Sequence, residues 1–85
     1  MNAIPCPAHL SGASRTIATQ RRVGILRAMA DTFFVKADEM ERFRRACAAS
    51  NNLDGAAAWQ RLANQTRTEA ERFVFQADKM EGFVR

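Results

Sequence analysis

Few residues of this 85-residue chain belong to types that carry catalysis, and their spacing gives them little support. His9 is the single histidine and lies close to two prolines, without a neighbouring acid, whereas a general base must be held beside the proton it takes. Cys47 would need a lowered pKa to act as a nucleophile, and it falls within a helical pattern of apolar residues. We therefore predict that the chain is not an enzyme.

Carboxylates are the remaining candidate ligands. An Asp-x-x-Glu pair occurs at Asp38 and Glu41 and again at Asp78 and Glu81, but the Glu-x-x-His partner of di-iron helical bundles is missing. The sequence has no glycine-rich phosphate loop and no CxxC pair. We predict that these acids form a solvated edge paired with arginines, and that the protein uses no metal and no cofactor.

The same carboxylates belong to a repeat that organises the chain. Residues 33–43 return as residues 73–83, with Phe, Ala, Asp, Met, Glu and Phe at the same offsets. Extended to residues 20–43 and 60–83, the match gives ten identities in 24 aligned positions. Such self-similarity is typical of a duplicated structural unit, so we predict an internal duplication of about 40 residues.

Each copy has the apolar period of a helix that packs along one side. In the first half, residues at alternating steps of three and four form a continuous row, and this alternation is typical of coiled coils. The row consists of Val23, Leu26, Ala30, Phe33, Ala37, Met40, Arg44 and Cys47. Arg44 is its one charged member, and we expect its stem to be buried with its head at the edge.

The second half has a similar row, which we read as Trp59, Leu62, Thr66, Ala70, Phe73, Ala77, Met80 and Val84. Between the rows, Ser50 to Gly55 break the period, with an asparagine to close the first helix and Asp54 to cap the second. We predict a flexible N-terminal tail over 1–13 and a hairpin domain over 14–85, with helices at 16–49 and 55–84 and a turn at 50–55.

A turn this short makes the two helices antiparallel neighbours. If the turn is centred near residue 53, the numbers of facing residues sum to about 106 or 107. The sum pairs Phe33 with Phe73, Ala37 with Ala70, Ala30 with Ala77, Met40 with Thr66, Leu26 with Met80 and Cys47 with Trp59. The predicted fold is an all-α antiparallel hairpin of two long helices.

Apolar side chains outside these rows predict that the hairpin associates with itself. Phe34, Phe43, Phe75 and Phe83 are surplus to a two-helix seam, and a lone hairpin of this size buries little surface. A homodimer in the form of a four-helix bundle would cover them.

The charge distribution predicts the surface that meets another molecule. The net charge is +4, and all of the excess lies in residues 1–49, which hold eight basic and four acidic side chains. Such an excess attracts an acidic protein surface or nucleic acid. The predicted partner-binding residues are Arg21, Arg22, Arg27, Lys36, Arg42 and Arg45.

Two classes of function follow. The first is a non-enzymatic binder that occludes an acidic surface of a partner protein in a stoichiometric complex, a mode of action used by small inhibitors from phages and mobile elements such as anti-CRISPR proteins. The alternative is RNA or DNA binding through the basic face of the first helix. In architecture alone, this alternative is similar to the plasmid-copy-control protein called repressor of primer.

The cellular setting is predicted from what the sequence lacks. No stretch approaches the roughly 18 apolar residues of a membrane helix, and the start of the chain does not have the pattern of a secretory signal. Two cysteines, Cys6 and Cys47, are too few for a disulfide framework. We expect a cytoplasmic protein with free thiols and no membrane partner.

Overall fold

In the computed structural model the chain is an all-α hairpin, described over residues 8–82, with side-chain burial described from residue 16. Helix α1 runs Ala8–Ala49 and helix α2 runs Leu53–Gly82, and the two pack along each other. The predicted start of α1 at residue 16 is wrong. Both prolines precede Ala8, and the residues that follow contain no proline to stop a helix from extending back to Ala8. The rest of the predicted tail (1–7) and the predicted end of α2 (Val84) lie outside the described residues.

An asparagine closes the end of helix α1, as the sequence predicted. Asn51 has φ of 67°, in the left-handed region that asparagine tolerates better than most residues. Its amide donates to the carbonyl of Ala48 at 3.1 Å, and the amide of Asn52 donates to the carbonyl of Cys47 at 2.8 Å. These two bonds form a Schellman motif, which satisfies the last carbonyls of the helix.

Helix α2 is capped by Asn52, so the prediction that Asp54 caps it is wrong. The amide of Gly55 donates to Asn52 Oδ1 at 2.9 Å, which satisfies one of the free amides of the first turn. Asp54 lies within that turn, where its negative charge interacts favourably with the helix dipole. Asn52 thus closes one helix and opens the next, and the turn contains only three residues.

The predicted register between the helices is confirmed by two contacts. The rings of Phe33 and Phe73 meet edge to face, with centroids 5.3 Å apart and planes at 66°. Farther toward the turn, the hydroxyl of Thr66 donates to the sulfur of Met40 at 3.4 Å. Both pairs sum to 106, so the helices hold one register along the hairpin.

The core of the hairpin is built from small residues at steps of seven. Among residues 16–82 the buried positions are Val23, Ala30, Ala37, Ala63, Ala70 and Ala77. Leu62 was predicted to lie in this row, but its side chain is 44% exposed, while Ala63 is fully buried. Alanines at the line of closest approach let the two backbones come near each other, which leaves no room there for a leucine.

The repeated stretches occupy equivalent environments. Residues 31–41 and 71–81 have the same burial class at every aligned position. Phe33 and Phe73 correspond to each other in the repeat and also touch each other. A local two-fold axis therefore passes between these rings, normal to the plane of the hairpin.

Candidate protein-binding surfaces

The large side chains of the hairpin flank the alanine core on two sides. Each buried alanine is followed three and four residues later by side chains that lean to opposite sides of the core, as the helical period requires. The first set, extended to Trp59 near the turn, forms what we call the aromatic face: its large side chains are Leu26, Phe33, Met40, Trp59, Phe73 and Met80, and Thr66 lies among them. The second set forms the ion-pair face: Arg27, Phe34, Glu41, Arg67, Val74 and Glu81. All twelve side chains are half-buried.

The ion-pair face is held together by bonds between charged groups. Arg27 Nη2 donates to Asp78 Oδ1 at 2.9 Å and to Glu81 Oε1 at 2.7 Å, which ties α1 to α2. The hydrogen bond to Asp78, followed by the bond to Glu81, raises the pKa of the Arg27 guanidinium. The predicted pairing of this second carboxylate pair with an arginine is confirmed.

The first carboxylate pair has a different arrangement. Glu41 accepts hydrogen bonds from Nη2 of Arg44 at 2.6 Å and from its Nε at 2.9 Å, and Arg45 Nε approaches it to 3.6 Å. The hydrogen bond from Arg44 lowers the pKa of Glu41, and the charges of Arg45 and Arg67 act in the same direction. As predicted, Arg44 lies on the seam with its head at the edge, and its side chain is 28% exposed.

The aromatic face carries two shallow grooves with apolar floors. A groove of about 530 Å³ is lined by Arg22, Ile25, Leu26, Gln76, Lys79 and Met80. Another of about 350 Å³ is lined by Phe33, Lys36, Met40, Gln65, Thr66 and Glu69. Near the turn, the ring of Phe43 packs on that of Trp59 with centroids 4.9 Å apart. This side of the hairpin is therefore largely apolar, is interrupted by Thr66 and is bordered by charged residues.

Helix α1 also carries an exposed row, beside the aromatic face, that we call the basic stripe. It consists of a pair of adjacent residues that recurs every seven positions along α1: Arg21, Arg22, Ala28, Met29, Val35, Lys36, Arg42 and Phe43. All eight are exposed, and none is acidic. From Arg21 to Arg42 the stripe extends about 31 Å at 1.5 Å per residue.

Four of the six predicted partner-binding residues share the stripe, namely Arg21, Arg22, Lys36 and Arg42. Arg27 lies on the ion-pair face, where it is bonded to two carboxylates of α2. Arg45 borders the stripe one turn after Arg42, with its side chain 71% exposed. The equivalent row on α2 (residues 61, 62, 68, 69, 75 and 76) holds one arginine and one glutamate, so the charge excess belongs to α1.

The phenylalanines predicted for self-association do not share one surface. Phe34 lies on the ion-pair face, while Phe43 is on the opposite side, where it packs on Trp59. Phe75 is 64% exposed on the outer surface of α2, beside Arg72 and Lys79. Phe83 lies outside the described residues. The apolar surface that the sequence reading missed is the aromatic face, because those residues were all assigned to the seam between the two helices.

Over residues 16–82 we find no cluster of three or more His, Cys, Asp or Glu side chains placed to hold a metal ion. Neither helix, in its described part, combines the length and apolar character needed to cross a membrane. Comparison of the chain with protein-family models, curated proteins and solved structures gave no match.

Proposed function

We propose that this protein is a non-enzymatic protein-binding module that covers an acidic surface of a partner protein in a stoichiometric complex. The basic stripe of α1 is the contact surface in this proposal, with Arg42 and the neighbouring Arg45 at its end near the turn. The proposal includes the duplication of a single helix and the pairing of two hairpins in a four-helix bundle.

The observation that carries the proposal is the composition of the stripe. Within α1 the acids lie at other positions around the helix, so the exposed row from Arg21 to Arg42 is free of negative charge. Complementary charge steers association and selects the partner. The two halves of the repeat share many of the residues that pack the helices together but differ in this row. This difference is expected if both helices pack in the same way and only α1 contacts the partner protein.

Apolar side chains within the stripe favour a protein over a nucleic acid. Met29, Val35 and Phe43 are between 40% and 57% exposed and alternate with the cations. A phosphate backbone offers such side chains no apolar surface, whereas the centre of a protein interface does. Nucleic-acid binding remains the second candidate because of the net charge of +4, and it predicts an affinity that falls steeply with salt.

The test compares two charge reversals of equal size. Arg42→Glu with Arg45→Glu should abolish capture of the partner protein from a lysate of the source cell. Arg61→Glu with Arg72→Glu is the control, because it changes the net charge by the same amount on the outer surface of α2. Each pair contains one arginine in contact with a glutamate of its own helix, and those two arginines are 71% and 69% exposed. Equal loss in both variants would contradict the assignment to α1, and nuclease-sensitive capture would favour the alternative.

A further inference from the structure

We infer that the aromatic face is where a second copy of this chain docks, with α1 of each copy lying antiparallel on α2 of the other. This inference rests on the proposed self-association, and it specifies the face and the arrangement. It takes one edge of the basic stripe (Arg22, Met29, Lys36 and Phe43) to the border of the dimer and leaves the other edge (Arg21, Ala28, Val35 and Arg42), with Arg45, for the acidic partner. It also moves the interface away from Phe34 and Phe75, which lie on other surfaces of the hairpin.

The first argument is what the hairpin leaves uncovered. Its buried core in the described region consists of one valine and five alanines, and no large side chain is fully buried. The six large residues of the aromatic face are only half-buried. Two helices cannot enclose them, because each lies beside the line of closest approach rather than on it. A second pair of helices encloses them and turns this face into the centre of a four-helix bundle.

The second argument is area. Helix α2 has 30 residues, which gives about 45 Å of paired length at 1.5 Å per residue. Two helices side by side present a width of about 20 Å, given a diameter of about 10 Å each. One copy therefore contributes about 900 Å² and the pair about 1,800 Å², which lies within the range of stable protein interfaces.

The third argument is charge, which selects the arrangement of the two copies. Lys36 on α1 and Glu69 on α2 border the same groove at the same level of the hairpin. If α1 lies on the partner's α2 with both turns at one end, Lys36 is level with the partner's Glu69 and joins the ion pair that this glutamate makes with Arg72 of its own helix at 2.6 Å. If α1 lies on α1, Lys36 faces the basic stripe of the partner's α1, which contains no acidic residue, and the contact with Glu69 is lost.

The ion-pair face is a weaker candidate for the same contact. Arg27, Asp78 and Glu81 already satisfy one another across the helices, so covering them would remove water without adding bonds. Desolvation of paired charges opposes association. The apolar residues of that face are limited to Phe34 and Val74 at its centre.

The face is tested by two substitutions on exposed apolar residues of the full-length chain. Met29 is 40% exposed and lies in the row of Arg22 and Lys36 that borders the aromatic face. Met29→Glu should weaken the dimer by more than about tenfold, because a charge would be desolvated at the interface. Phe75→Glu is the control on the outer surface of α2 and should leave the dimer unchanged. Light scattering after size exclusion measures the mass, and circular dichroism shows that both variants keep their helices.

The arrangement is tested by one distance. Spin labels on Ser50→Cys, with Cys6 and Cys47 replaced by serine, should lie less than about 30 Å apart when both turns are at one end. If the turns are at opposite ends, the labels lie about 50 Å apart, because Ser50 is 17 residues from Phe33 at the two-fold axis.

Each outcome has a distinct meaning. A monomer of 9.5 kDa at micromolar concentration would overturn the proposed bundle together with this inference, while leaving the test on Arg42 and Arg45 in force. A dimer broken by Phe75→Glu but not by Met29→Glu would overturn the face. A distance near 50 Å would overturn the arrangement.

Discussion

The contact between Phe33 and Phe73 allows a double-mutant cycle that tests the register of the hairpin. Replacing a completely buried phenylalanine with alanine lowers the unfolding free energy by about 3–5 kcal/mol. Both rings are half-buried in the single hairpin, so Phe33→Ala and Phe73→Ala should each cost about 1.5–2.5 kcal/mol there. A cost near the full value for each is expected if a second copy covers the rings.

The coupling between the two substitutions is the informative quantity. The centroids are 5.3 Å apart in an edge-to-face arrangement, and such pairs are worth about 0.5–1.5 kcal/mol beyond burial. Urea unfolding at fixed protein concentration gives the four free energies of the cycle. Phe33→Ala with Phe75→Ala is the control cycle, and it should be additive to within about 0.3–0.5 kcal/mol because Phe75 lies on the outer surface. Additivity in the Phe33 and Phe73 cycle would refute the register.

Three further results are expected. Gly24→Ala should raise the melting temperature by a few degrees, because a Cβ at this interior helical position would meet no atom within 4 Å and alanine is favoured there by about 0.5–1 kcal/mol. Gly55→Ala should give no such gain in the same thermal scan, because its Cβ would lie 2.5 Å from Asn52 Nδ2 and displace the cap; an equal rise in both variants would contradict the capping role. The pKa of Glu41 is lower in the folded state than in the unfolded chain. Its bond to Arg44 therefore stabilises the fold at pH values above the unfolded pKa of about 4.3, and this contribution is lost as the pH falls through the folded pKa. The difference in unfolding free energy between the wild type and Glu41→Gln should vanish in acid, and a difference independent of pH would contradict the assignment.

The register of the hairpin could be predicted from the sequence because three signals agree. The apolar period and the position of the turn place Phe33 opposite Phe73 and Met40 opposite Thr66, and the repeat gives the two helices rows of the same spacing. Each signal is local in sequence, and an antiparallel hairpin converts local spacing directly into contact. The pairing of Arg27 with Asp78 and Glu81 could have been predicted from the same rule, since these pairs sum to 105 and 108, each close to the 106 or 107 of facing residues.

Other features depend on packing that hydrophobicity alone does not report. Leu62 is more apolar than Ala63, yet the alanine is buried, because the line of closest approach admits only small side chains. The steps of seven from Ala77 and Ala70 to Ala63 carried this information. Asn52 and Asp54 are both good capping residues, and the choice between them is fixed by the Schellman motif, which already places Asn52 at the junction.

The central proposal is that the basic stripe of α1 binds an acidic protein partner, and native mass spectrometry of the captured complex tests it most directly. The full-length chain is used as bait in a lysate of the source cell, with nuclease treatment before elution. We expect a complex of the hairpin with one partner protein in a fixed ratio, present with the wild type and with Arg61→Glu and Arg72→Glu but absent with Arg42→Glu and Arg45→Glu. Recovery of the hairpin with nucleic acid alone, lost on nuclease treatment, would contradict the proposal.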